Sequence, residues 1–450
     1  MHKSSSENAA PSDERCALRD RVAAIDGQRQ SAVVPGSRQA HTTRPISRAD
    51  TRDLWLLLLL VFGGLSSEQA IGVLMPLAAD VGGATYAWIG VLSGTVRLIL
   101  VLLLIPGTWL VASWGRRVAV VVGVGLEGAA ALTYTIVPDV RWMLLPQIML
   151  GVGLSLFWPA YLSYFAEVVV GAETQMQMRR SLTQGVALLI SPLIGTYLAG
   201  RFGYGAGFAV IGAMTVTIAL LGLRLNSPAG RPTGAASNPA ALIGTYRAAG
   251  TLFRRQAYLV AVGLSIVGSL LIYMVSGTFL TLHLKQLGFA SLTIGMLISL
   301  RSLSDVALRT MFSRLAARIR PLYLVVFSAV GVAVIDLFVP ILTLPAAVVA
   351  LMMLLGVFSS QYDPATVTVL SNLLRSGERD VGIAAWVTVN ALAGWAVAPL
   401  LGGLGDAAGL SAVFVVSAGV GLVVVAALMF WGRRAAGRPD APDELAEMYW

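Results

Sequence analysis

Charge is scarce in this chain. Only 12% of its 450 residues are Asp, Glu, Lys or Arg, about half the share of an ordinary soluble domain. A wetted globular surface cannot be built at that level. Cysteine is nearly absent: Cys16 alone excludes a disulfide framework and a cysteine metal cluster. His2, His41 and His283 are scattered without ligand spacing, so no metal site is expected. Lysine is confined to Lys3 and Lys285, and the net charge of +9 therefore rests on arginine. No Walker A loop and no HExxH pair occurs, so neither an ATP-driven pump nor a zinc peptidase is implied. The longest polar stretch, residues 1–53, is too short to hold a fused enzyme or sensor module. No enzyme activity and no cofactor are expected.

Apolar length is what the chain has instead. Apolar types make up 56% of it, and the mean hydropathy is +0.77. Twelve runs are long enough to cross a ~30 Å hydrocarbon layer as helices: 54–79, 85–110, 117–137, 142–168, 181–201, 204–225, 257–281, 290–312, 321–343, 345–370, 381–404 and 409–432. A transmembrane barrel would show alternating strands of ~10 residues, which are not found. Residues 1–53 contain no apolar core of a signal peptide and read as a disordered tail.

The arginines fix an orientation. Arg116, Arg117, Arg179, Arg180, Arg314, Arg318, Arg320, Arg375 and Arg379 cluster after even-numbered runs. Arg231, Arg247, Arg254 and Arg255 lie in or beside the long loop 226–256, and Arg52, Arg433, Arg434 and Arg438 lie in the tails. The opposite loops hold only Arg141, Arg201 and Lys285. Basic residues mark the cytoplasmic side, so both termini and the 226–256 loop are expected there, in a multi-pass protein of a cell (inner) membrane. This placement accounts for the basic balance without nucleic acid.

The chain also repeats itself. Gly151 to Ala160 in run 4 matches Gly356 to Ala365 in run 10 at an offset of 205, and Ile89-Gly90 matches Ile294-Gly295 at the same offset. Pro192-Leu-Ile-Gly195 matches Pro399-Leu-Leu-Gly402 at 207. Three matches in register indicate a duplicated six-helix unit. The organisation is then a tail (1–53), a six-helix unit (54–225), a linker (226–256), a second unit (257–432) and a tail (433–450).

Six plus six helices, a basic central loop and inside termini resemble the Major Facilitator Superfamily over residues 54 to 432. Its loop after the second helix reads G-x-L-x-D-R-x-G-R-R. The chain offers Gly107, Leu110, Gly115, Arg116 and Arg117, with Ala112 where the Asp should be. The antiporter Arg of the fourth helix is replaced by Gln147. The antiporter G-P-x-x-G-G is Ser191-Pro192-Leu193-Ile194-Gly195-Thr196 in run 5 and, closer, Ala398-Pro399-Leu400-Leu401-Gly402-Gly403 in run 11. The resemblance implies an all-α membrane protein of two pseudo-symmetric six-helix bundles. It implies a secondary transporter working by alternating access, nearest in look to the drug:proton antiporters and usually monomeric. Arg116 and Arg117 would then be gating residues.

Ionisable residues inside a membrane are costly, ~2.5–3.5 kcal/mol each at mid-helix, and mark function. The family lines its cavity with runs 1, 4, 7 and 10, which makes Glu68 the leading proton-coupling residue and Asp363 the second. Arg97 is expected to pair with Glu68 or to bind a substrate carboxylate. Arg301, Asp305 and Arg309 share one face of run 8 at i, i+4 and i+8, and Arg301 is a further substrate candidate. Glu127 and Asp336 fall on helices the family keeps outside the cavity and are expected to serve packing or to find an Arg. Trp158, Tyr161, Tyr164, Tyr273, Thr278, Thr281, Gln361, Tyr362, Trp386, Asn390 and Trp395 are polar or aromatic lining candidates. From these, Trp158, Tyr161, Gln361, Tyr362 and Asn390 are taken with Arg97 and Arg301 as substrate-binding. The leading expectation is proton-coupled efflux of a small drug-like or metabolite molecule. The alternatives are uptake or uniport of an anionic metabolite, and a non-transporting receptor on the same fold.

Overall fold

The computed structural model describes residues 48–169, 173–226, 250–316, 319–375, 378–436 and 448. The tails expected at 1–53 and 433–450 and the linker expected at 226–256 lie largely outside these residues. Twelve long helices are present, and no strand occurs among the described residues. They are α1 (Arg48–Val81), α2 (Tyr86–Trp114), α3 (Arg116–Thr133), α4 (Leu144–Val168), α5 (Glu173–Phe202), α6 (Tyr204–Gly222), α7 (Gln256–Gln286), α8 (Ser291–Ala316), α9 (Pro321–Phe338), α10 (Pro345–Leu373), α11 (Arg379–Ala408) and α12 (Leu410–Ala436). Eleven are long and apolar enough to cross a membrane. The exception is α3, whose 18 residues include Arg116, Arg117 and Glu127.

Two helices depart from regular geometry. α7 passes from α-helix into a π-helical stretch, Leu270–Phe279, and back. π-helical turns often mark functional sites. α10 breaks between Ser359 and Tyr362, with Gln361 capping the second piece. The break precedes Pro364, which sits in the first turn of that second piece. There the missing N–H costs nothing, because no carbonyl awaits it.

The sequence repeat has a structural meaning at the contacts between the two halves. α2 packs along α11, and α5 along α8. A Cβ on Gly90 would come within 2.3 Å of the Ala398 carbonyl oxygen and 2.9 Å of Pro399 Cα. A Cβ on Gly295 would meet Thr196 Oγ1 at 1.8 Å and the Pro192 oxygen at 2.9 Å. The repeated Ile-Gly of one half thus rests on the repeated proline segment of the other, twice. Small residues allow this backbone approach.

The arginine-rich loops gather at one end of the helices. There Arg117 donates to the Leu223 carbonyl, tying α3 to the end of α6, and Arg255 forms a two-pronged pair with Glu378 at 2.7 and 2.9 Å. At the opposite end the two halves are joined directly. Lys285 Nζ lies 2.6 Å from Asp80 Oδ2. The Asp406 carboxylate accepts from the Tyr86 and Ala87 backbone N–H groups at 2.7 and 2.9 Å, and Gln286 Nε2 donates to the Tyr86 hydroxyl at 2.6 Å.

Candidate functional site

Glu68, Arg97, Tyr273 and Asp363 meet midway along the bundle, one from each of α1, α2, α7 and α10. Arg97 extends from the first half across to the second, where its guanidinium carbon lies 5.9 Å from the centre of the Tyr273 ring. That separation is within cation–π range. The Tyr273 hydroxyl donates to Asp363 Oδ2 at 2.6 Å. Tyr273 is 42% exposed although it sits in mid-helix, so its ring faces open space between the halves.

Glu68 and Arg97 feel each other's charge without forming a contact ion pair. Neither side chain has a hydrogen-bond partner among the described residues, and both are half-buried. Direct pairing of the two, one of the expected arrangements, is therefore not what the structure shows. An arginine with five free N–H donors beside an aromatic face is a ready receptor for a carboxylate. A carboxyl next to it can gain or lose a proton as that charge is occupied or released.

Arg301 behaves differently. It donates to the carbonyls of Ser276 and Ile272, the latter at 3.1 Å, both in the π-helical stretch of α7. π-helical geometry changes which amide meets which carbonyl, and Arg301 takes up two of these oxygens. Asp305 and Asp336 lie within its coulombic reach. Arg301 is thus largely committed to holding α7. Arg309 lies on α8, and its side chain is outside the described residues.

The remaining candidates separate by burial. Trp158 is half-buried, its ring tilted against Phe157 and edge-on to Tyr161. Tyr161 is wholly buried in the core of the first half, with Arg180 over its ring at 5.5 Å. Tyr362 is buried as well and donates to the Ser265 carbonyl, while Trp386 Nε1 donates to Ser265 Oγ at 2.5 Å. Gln361 is buried and donates to Ser360 at 3.3 Å, across the break in α10. Asn390 is half-buried and faces the Tyr362 hydroxyl. Arg116 and Arg117 open α3 at the arginine-rich end, far from this centre.

Tyr273 is the residue that sequence reasoning undervalued, placing it among eleven lining candidates but not in the site. Its signal was available in part, as a tyrosine far from either membrane interface. The π-helical turn that presents it had none.

Twelve helices in two joined bundles around a shared polar centre define a multi-pass membrane carrier. The chain belongs to the Major Facilitator Superfamily, whose sequence profile matches residues 54–289 and again 262–448. It is therefore a secondary transporter. It is 25% identical over 402 residues to monocarboxylate transporter 13 of Bos taurus, covering 85% of this chain and 89% of that protein. Among solved structures it resembles a bacterial homologue of the human lysosomal transporter Spinster, in an inward-facing and unoccupied conformation, with a TM-score of 0.69 and 14% identity over 90% of this chain and 99% of that one. It also resembles a POT peptide transporter in complex with sulfate, with a TM-score of 0.71 and 14% identity over 85% and 94% of the two chains. These likenesses establish the fold.

Proposed function

We propose that this chain carries small organic anions, monocarboxylates foremost, across a cell membrane by proton-coupled alternating access. The observation behind this reading is Arg97: a guanidinium without a hydrogen-bond partner among the described residues, reaching from one half to the other between Glu68 and Tyr273. A substrate carboxylate would bridge Arg97 and the Tyr273 surface and so engage both halves at once. Glu68 would take up the proton that balances the added negative charge. The similarity to a bovine monocarboxylate transporter supports the same substrate class.

The aromatic candidates weigh against drug efflux as the leading reading. Tyr161 and Tyr362, two of the three aromatic residues taken as substrate-binding, are locked in the cores of their halves. The six-helix halves at 54–225 and 257–432 act as the two rocking bodies, the chain works as a monomer, and both termini lie in the cytoplasm. Arg116 and Arg117 would brace the inner side of the first half while it rocks. With the contacts between halves at the end away from the arginines, the described arrangement corresponds to an inward-facing state.

The test is counterflow and gradient-driven uptake of pyruvate in proteoliposomes. An inward proton gradient should drive accumulation in the wild type. Glu68→Gln should abolish that accumulation while leaving pyruvate exchange intact. Accumulation that survives Glu68→Gln, or exchange of cationic compounds but not pyruvate, would sink the proposal.

A further inference from the structure

Glu127, on α3, is wholly buried, and neither of its carboxylate oxygens has a hydrogen-bond partner among the described residues. The sequence expectation of a packing role or an arginine partner leaves this unexplained. A buried carboxylate without a cation or donors is among the costliest groups a protein can hold.

The duplicated half holds a buried carboxyl at the same level of the fold, with one of its two oxygens partnered. Asp336, on α9, accepts from Ser276 Oγ of α7 at 2.8 Å and has Arg301 within coulombic reach. In the first half Ser67 of α1 stands in the corresponding register, 60 residues before Glu127 as Ser276 is before Asp336. Yet Ser67 Oγ donates to the backbone carbonyl of Glu127, at 3.0 Å, and not to its carboxylate. Arg97, the counterpart of Arg301, turns away to Tyr273 in the other half. The first half thus lacks both groups that stabilise charge on Asp336.

The Glu127 carboxyl rests against Gly64 of α1, where a Cβ would lie 3.0 Å from its Oε2. Glu68 is four residues further along the same helix, and so on the same face. Its charge reaches Glu127. The other helices against α3 bring little that could compete. Among the described side chains within the membrane, α6 contributes only Tyr204, near the far end, and α4 contributes Tyr161 and Tyr164. Tyr161 sits under Arg180 of α5, and Tyr164 donates to Asp53 at 3.2 Å near the start of α1. From α2, Arg97 faces Glu68.

We propose that Glu127 is a positioning residue for proton coupling: a carboxylic acid that keeps its proton and offers it as a hydrogen bond to the Glu68 carboxylate once Glu68 ionises. The bond forms directly or through one water. Only one of the two carboxyls is charged at a time, because two close carboxylates without a cation between them repel. Glu68 then titrates against a fixed neutral donor on one side and Arg97 on the other. No proton leaves Glu127 during the cycle, so the coupling stoichiometry is set by Glu68 alone.

This inference rests on the reading of Glu68 as the coupling carboxyl. It is tested without substrate, by infrared titration of the carboxyl C=O bands in purified protein held in lipid nanodiscs. Wild type is compared with E68Q, E127Q and E127M. Glu127→Gln should remove a protonated-carboxyl band already present at neutral pH, yet keep the Glu68 midpoint near its wild-type position, since an amide also donates. Glu127→Met should move that midpoint up by about one pH unit, tenfold in proton affinity. If E127Q removes no protonated band, Glu127 is ionised and the proposal falls. An unshifted Glu68 midpoint in E127M would leave Glu127 a packing residue and equally overturn it. If no titrating band disappears in E68Q, the coupling role of Glu68 itself fails. That outcome is separate, because the Glu127 band is read independently in E127Q.

Discussion

Arg97 carries the substrate argument because of what it does not touch. A guanidinium that only served structure would end on carbonyls, as Arg301 does on Ile272 and Ser276. Arg97→Lys keeps the charge and loses the planar fork. It should raise the KM for pyruvate about tenfold or more in counterflow, as expected for loss of a two-point carboxylate contact. Tyr273 has two separable roles. Tyr273→Phe removes the hydroxyl that donates to Asp363 but keeps the ring under Arg97. It should slow exchange without a comparable change in KM, whereas Tyr273→Ala should change both. Equal effects of the two substitutions would mean that the ring contributes nothing to binding.

At the scale of elements, the seams between the halves reward glycine at two duplicated positions. Gly90→Ala would push a methyl into the Ala398 carbonyl, a backbone atom that cannot swing aside. The seam should loosen at a cost of ~1–3 kcal/mol, typical of overpacking, read as a lower melting temperature in detergent. A second element-scale link is the pair joining α7 to the start of α11. The Arg255 side chain, hydrogen-bonded to Glu378, holds that carboxyl below its ordinary value of 4.5. A lowered carboxyl pKa gives stability that is present above the unfolded value and lost as the pH falls through the folded one. Glu378→Gln should therefore lower the melting temperature slightly at pH 7 and not at about pH 3. The effect is small, within ~1 kcal/mol, because water screens both partners. The sequence made the helices legible for a plain reason: long apolar runs in a chain with so few charges have one use. It also exposed the Ile-Gly and Pro-Leu repeats that became the seams. It did not reveal that Gln361 and Tyr362 face inward at a break in α10, because periodicity is silent when a helix is apolar on every side. The π-helical turn that aims Tyr273 left no mark either, since it arises from packing of α7 and not from composition.

Across the whole molecule, the end away from the arginines is held shut by polar contacts between the halves, and these must break for the opposite access state to form. Asp406 is the most consequential. Its carboxylate takes two backbone N–H groups at the start of α2, where the helix leaves donors unsatisfied and its dipole favours a negative charge. Lys285–Asp80 and Gln286–Tyr86 flank it. A carrier alternates only if neither closed state is deeper than the other by more than a few kcal/mol. Charge-assisted bonds at the exposed rim suit that need, since each is worth little once water can replace it. Asp406→Asn keeps the shape and weakens both bonds, and Lys285→Met removes the ion pair. Either should shift the population toward the state open on this side, and the two together should shift it further than each alone. Distances between spin labels on the α1–α2 and α7–α8 loops would report the change, with Cys16 replaced so that only the labelled sites react. If the double variant leaves the distance distribution unchanged, these contacts accompany closure without holding it. The balance would then rest on the glycine seams, and Gly90→Ala would become the variant that moves it.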